Sequence, residues 1–280
     1  MAVEDILVRV HVEGENSWKG QYYLYDIFVY VPDQQQIVEN IVSDPYSPDI
    51  ALNGAKTRIT DLADEATKPH GWDFSFSPWL ESLNDFSVYE LHVREFSVDD
   101  ASVPAQYQGT YLAFTNPASY GMTHLRYLAK SGLKAVHIMP SFHIGSVDEN
   151  KANWQSLGSL GGYPANGTQQ QAAVEAVQQS DGYNFGYDPV HYFAPNGGFA
   201  FNPDNRVFEY RQLVMALHNA GLRVVQDVVF NHTYAAGENT SLSWMRPSPA
   251  ITIASTRTAT SKPQVAAMTP PVNIACLPSS

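Results

Sequence analysis

Asp227, Asn231 and His232 are the polar residues of the run LRVVQDVVFNH, Leu222 to His232, that could take part in chemistry. Leu222 to Phe230 is otherwise apolar and β-branched, the composition of a buried parallel strand, and Gly221 before it closes a helix. A carboxylate inside such a strand is costly unless it is paired or hydrogen-bonded. In β/α folds the C-terminal ends of parallel strands are where ligands bind, so Asp227, Asn231 and His232 are expected at a site. A structural Asp227 bonded to a neighbouring loop is the alternative.

Upstream, Tyr183 to Phe201 holds seven aromatics in nineteen residues: Tyr183, Phe185, Tyr187, Tyr192, Phe193, Phe199 and Phe201. Sugars present apolar C–H faces on which rigid rings stack with little loss of entropy. The alternative, expected to hold for most of these rings, is that they pack a long loop onto the body of the protein. Other chemistries lack their signatures. His137 and His143 stand six apart with no Cys/Asp cluster, which reads as core or surface, and there is no nucleophile elbow and no phosphate loop. Glu90, Glu95 and Glu209 are available acids, but nothing marks them beyond ordinary ion-pair partners. No metal or cofactor is implied.

The elements that must position these groups fall into two patterns. Residues 1 to about 80 read as β, with Asp5–Val12, Tyr22–Val31, Ile37–Val42 and Lys56–Thr60 as candidate strands between turn-rich segments. A small antiparallel sandwich suits that spacing. Trp18, Trp72 and Trp79 are either sugar platforms or core there. From Ser87 the pattern changes. Val88–Phe96 is expected as a strand with Glu90, His92 and Arg94 on one face, Asn116–Ser131 as a helix, and Leu133–Met139 as the next strand. The segments Gly132–Val136 and Gly221–Val225 form a weak repeat, each a glycine helix stop directly before a strand. The helix before the second carries Tyr210, Leu213, Val214 and Leu217 at i, i+3, i+4, i+7. This is β/α architecture with right-handed crossovers, three strands of the eight that a closed barrel needs. The insert His143–Asp204 is too long for an ordinary connection, with a short helix expected at Thr168–Gln179.

DVVFNH resembles the first short motif of the α-amylase superfamily, glycoside hydrolase family 13. Val88–Ser97 (VYELHVREFS), Tyr183–Pro189 (YNFGYDP) and the spacing from Trp72 to His232 are similar to type I pullulanase, most of all to the plant limit dextrinases, over roughly residues 15 to 237. The resemblance implies three parts: 1–80, a β-sandwich like a carbohydrate-binding module; 87–237, the N-terminal part of a (β/α)8 glycosidase barrel; and 238–280, an unrelated tail. It implies α-1,6-glucosidic debranching of starch or pullulan, with branched α-glucan as partner. By position, Tyr187 resembles the tyrosine that stacks on the sugar at the cleavage site, Asp227 a supporting aspartate, Asn231 a loop-organising asparagine, and His232 a histidine bonded to that sugar. Phe185 stands where tryptophan is usual. Retaining hydrolysis needs a nucleophile and a general acid about 5–5.5 Å apart. In the family these come from later strands, which have no counterpart here, so no catalytic residue is assigned and the chain is expected to be truncated and inactive alone. A non-catalytic glucan-binding or regulatory protein, or a non-functional truncation product, are the alternatives.

Composition is compatible with a neutral or cationic ligand. The net charge of −12 disfavours nucleic acid, and no apolar run approaches a membrane span. The single cysteine, Cys276, rules out an internal disulfide framework and favours a reducing compartment. The start MAVEDILVRV has no signal or transit character, so an intracellular location is expected, plastidic by the resemblance. All 28 acidic residues lie at or before Glu238 and none among the 42 that follow. At about one acid in eight, such a run has a chance below ~1%. The Ser/Thr/Pro/Ala-rich tail is therefore expected to be a different, largely disordered segment.

Overall fold

A computed structural model describes residues 18–31, 34–235 and 275–278. The expected strand Asp5–Val12 and the tail 236–274 lie outside the described residues.

In the N-terminal part, β1 (Tyr22–Val31) pairs antiparallel with β2 (Gln36–Val42), in the register Tyr25↔Val42 to Val31↔Gln36, and with the short β3 (Thr57–Arg58). Strong strand formers fill β1. The described residues contribute this one antiparallel sheet. Lys56–Thr60 shrinks to two paired residues.

The second part holds a parallel sheet in the order β4-β5-β8. Its strands are β4 (Val88–Leu91), β5 (Ala135–Ile138) and β8 (Arg223–Gln226), in the registers Glu90↔His137 and His137↔Val225. Helix α1 (Tyr120–Lys130) makes the first crossover; Ser119 caps it by accepting from the Met122 amide at 3.2 Å. Between β5 and β8 come β6 (Phe142–Ile144), α2 (Gln169–Val177), β7 (Pro189–Pro195, antiparallel to β6) and α3 (Arg206–Asn219). Gly132 and Gly221 follow their helices with φ of +113° and +84°, as the repeat required. The main core lies between the sheet and the two long helices: Leu91, Val136 and Ile138 meet Leu125, Leu213, Leu217 and Leu222, with Tyr111 and Phe114 from the segment before α1. β9 (Ala275–Pro278), inside the region expected to be disordered, pairs with β1 in the register Tyr25↔Cys276.

All three parallel strands are shorter than the sequence implies; Leu133–Met139 is reduced to Ala135–Ile138. The strand read as Val88–Phe96 ends at Leu91, because His92 opens a turn whose Phe96 amide donates back to the His92 carbonyl at 3.0 Å. Glu90, His92 and Arg94 therefore do not share one face: Glu90 is exposed, His92 buried and Arg94 half-buried. The strand read as Leu222–Phe230 ends at Gln226. The last bond to β5 runs from the Asp227 amide to the Ile138 carbonyl at 3.0 Å. Beyond it Val228 and Phe230 are exposed, so this is not the fully buried strand that its composition implies.

Candidate functional site

The four residues singled out for the site come from two elements' ends. Tyr187 ends the loop entering β7; Asp227, Asn231 and His232 follow β8. Three of them are joined. The Tyr187 hydroxyl donates to Asp227 Oδ2 at 2.8 Å, and His232 Nε2 lies 2.6 Å from the Tyr187 carbonyl. A carbonyl can only accept, so Nε2 carries the proton. Tyr192 then donates to the His232 carbonyl at 2.9 Å and rests its ring 5.4 Å from Phe230, tying the far end of the turn to β7. Asn231 is exposed in the same turn, and no hydrogen bond joins it to the other three.

Asp227 is half-buried, so the carboxylate in an apolar run is accounted for: it sits at the mouth of the sheet with a phenol as partner. Burial, then the hydrogen bond to Asp227, push the Tyr187 phenol up to about 12. Its ring keeps 42% of its surface exposed, enough to offer a stacking face. The bond to Tyr187 leaves His232 Nε2 already engaged. Any ligand hydroxyl would have Nδ1 to meet, or that contact to displace, a feature with no sequence signal. Asp188, beside Tyr187, carries a carboxyl raised by burial.

Beneath these residues Gln226 fixes the strand end. Its Oε1 accepts from Tyr210 at 2.6 Å and Ser141 at 2.8 Å, and its Nε2 donates to the Asp227 carbonyl at 2.9 Å. Nothing in the sequence marks Gln226, since an amide amid valines has no period of its own.

The remaining aromatics divide. Phe199 is core, Phe193 stacks on Tyr46 at 5.8 Å, and Phe201 meets Tyr107 edge-on at 5.2 Å. Tyr183 and Phe185 stay exposed beside Tyr187, their rings 5.3 Å apart. Among the tryptophans, Trp72 has Arg211 over its ring at 4.9 Å, while Trp18 and Trp79 are exposed. The spare acids all have partners. Glu90 faces His137 at 3.5 Å, Glu95 pairs with Arg94, and Glu209 accepts from the Phe201 and Asn202 amides. No three His, Cys, Asp or Glu residues are grouped to hold a metal among the described residues.

A larger polar cluster escaped sequence reasoning. His143 and His191 are fully enclosed with their Nδ1 atoms 2.9 Å apart, and His191 Nε2 lies 2.8 Å from Ser43 Oγ. Burial holds His143 down at about 4 and His191 well below the usual imidazole range. Beside them the buried Arg206 donates to both Glu149 oxygens, at 2.7 and 2.8 Å, and Glu149 also accepts from the Asn53 and Gly197 amides. Glu149 is kept below the usual carboxylate range even though burial opposes it, because Arg206 stands beside it. Ser43 and Asn53 belong to the N-terminal part, so this cluster fastens that part to the paired strands β6 and β7 and to Glu149 and Arg206.

No family model matches the chain. It is 42% identical over 231 residues to pullulanase 1, chloroplastic, of Arabidopsis thaliana, covering 80% of this chain and 24% of that protein. It is 32% identical over 268 residues to the pullulanase of Klebsiella aerogenes, with the same coverage. The maltotriose complex of PulA from Klebsiella pneumoniae superposes with a TM-score of 0.76 at 30% identity, over 82% of this chain and 29% of that one. This is a pullulanase-type chain. It spans about a quarter of the length of the curated relatives it matches. The pullulanase-type chain thus shares its fold with that PulA structure over most of its length. No helix among the described residues is long and apolar enough to cross a membrane.

Proposed function

We propose that this chain carries the glucan-positioning half of an α-1,6-glucan debranching hydrolase, acting on branched starch-derived oligosaccharides or pullulan, without the carboxylate pair that cleaves them. The observation that supports this most is the joining of Tyr187 to Asp227 and His232, 40 and 45 residues later in the chain, at the C-terminal mouth of the parallel sheet. A half-exposed ring backed by a carboxylate gives a glucosyl unit a stacking face and a fixed acceptor. Asp227 accepts from the Tyr187 phenol and Glu90 faces His137 at 3.5 Å, so each of these carboxylates already has a partner.

The same reading divides the chain into 1–80, a β-sandwich of carbohydrate-binding type; 87–237, the first three strands of a (β/α)8 barrel; and 238–280, a tail of different origin. The maltotriose complex of the Klebsiella relative supports an α-glucan as ligand, and the chloroplastic relative supports a plastid setting. The test is titration of maltotriose into the 280-residue chain, followed by chemical shifts, beside a reducing-end assay on pullulan. Weak binding that depends on Tyr187, with no turnover, is the expected result. Contaminant-free turnover by the wild-type chain overturns the inactive half of the reading, and absence of binding overturns the other.

A further inference from the structure

We infer that His92 is a positioning residue that sets the aromatic loop carrying Tyr187; this rests on the glucan reading only for its effect on binding. His92 directly follows β4, at the same end of the sheet as Asp227, and is buried. Its Nε2 lies 2.9 Å from the Asn184 carbonyl, and its Nδ1 takes the Glu95 amide at 3.3 Å. One nitrogen must donate and the other must accept, so the ring is a neutral imidazole in a single tautomer. The Phe199 ring stands edge-on to it at 5.2 Å and fixes its plane. No other part of the proposed function uses this residue.

The contact is transmitted to Tyr187 by a short path. Asn184, held by its carbonyl, turns its own Oδ1 onto the Gly186 amide at 2.6 Å. Gly186 has φ +93° and sits so close to β5's end that an added Cβ would lie 2.6 Å from the Pro140 carbonyl. The backbone there has one way to go, and the next residue is Tyr187, whose hydroxyl then reaches Asp227. His92 at the first strand of the sheet thereby sets a ring over the third. A leucine would fill the same space but donate nothing, leaving the Asn184 carbonyl unpaired.

The experiment uses the full chain labelled with 13Cζ-tyrosine, the Tyr187 signal being identified by its loss in Tyr187→Phe. In His92→Leu the Tyr187 signal should move toward the position of a free tyrosine, and maltotriose affinity should fall about fivefold, the scale of one aromatic contact. His92→Gln, whose amide can still donate to the Asn184 carbonyl, should recover most of both. The Tyr210 signal reports whether the core has survived. If His92→Leu disturbs Tyr210 as well, Asn184→Ala decides, because it cuts the same path at Gly186. A Tyr187 signal unmoved in both variants, or no recovery with His92→Gln, overturns the proposal. A wild-type chain that binds no maltotriose, with Tyr187 still moving in His92→Leu, removes the sugar reading and leaves the positioning role standing.

Discussion

The Tyr187 hydroxyl donates to Asp227 Oδ2 at 2.8 Å across forty residues of sequence. A phenol facing a carboxylate makes a charge-assisted bond, so neither side chain is set independently of the other. Tyr187→Phe keeps the ring and removes the bond; Asp227→Asn keeps an acceptor and removes the charge. In a double-mutant cycle followed by urea denaturation the coupling should be about 1 kcal/mol, the scale of such a bond at a half-exposed site. The Tyr187 phenol, now at about 12, should fall part-way toward 10 in Asp227→Asn. The fall is partial because burial is the larger cause of its shift. Additive single mutants would show that the contact is incidental.

The buried imidazoles make stability depend on pH. His143 and His191 face each other, Ser43, Glu149 and Arg206, and both are held below an unfolded value near 6.5. A base whose folded pKa is depressed binds fewer protons folded than unfolded between those two values. Stability is therefore complete above about 6.5 and is lost as pH falls toward 4, the folded value of His143. That residue alone accounts for ~3 kcal/mol, at 1.36 kcal/mol per pH unit. The window lies above the titration of most carboxylates, so acid unfolding should begin earlier in the wild type than in His143→Gln/His191→Gln. Urea midpoints measured at pH 7, 6 and 5 check this; a flat profile for the wild type would rule it out.

The helices and the site motif were legible because their signals are local. Tyr210, Leu213, Val214 and Leu217 recur with helical period, and all four pack on the main core. Strand ends were less legible, since composition cannot say where a neighbour stops. Val228 and Phe230 look buried by type but stand beyond the last bond to β5. The His143–His191 and Glu149–Arg206 pairs join residues 48 and 57 apart. Nothing periodic marks them, and His143 alone reads as an ordinary core or surface histidine.

Arg206 should be the costliest single polar residue to remove among those described. It is wholly buried, holds both Glu149 oxygens and donates to the Pro195 and Pro203 carbonyls. Arg206→Met leaves the Glu149 charge buried without its counter-ion, a loss of about 3–5 kcal/mol. For a protein of this size that is on the order of 10 °C in Tm. Arg206→Met with Glu149→Gln removes the stranded charge and should recover a large part of the loss. Calorimetry of the three proteins decides: equal melting points for the single and double variants would show that the charge is not what the arginine serves.

The open sheet sets the behaviour in solution. β4 and β8 each pair on one side only among the described residues, and beyond β8 the chain exposes Val228 and Phe230. The segment leading into β4 adds Phe74, Phe76, Trp79 and Leu83, each more than three-quarters exposed. Unpaired strand edges beside apolar surface are templates for association, and the net charge of −12 opposes it only at long range. The wild-type chain should therefore self-associate with rising concentration in size-exclusion chromatography with light scattering. Val228→Lys, which places a charge beside the β8 edge without entering the core, should shift that curve to higher concentration. Trp79→Ser should shift it too if the linker's apolar stripe takes part, whereas Lys130→Glu on the outer end of α1 should leave it unchanged. A monodisperse wild-type monomer across the series would rule out association through this edge.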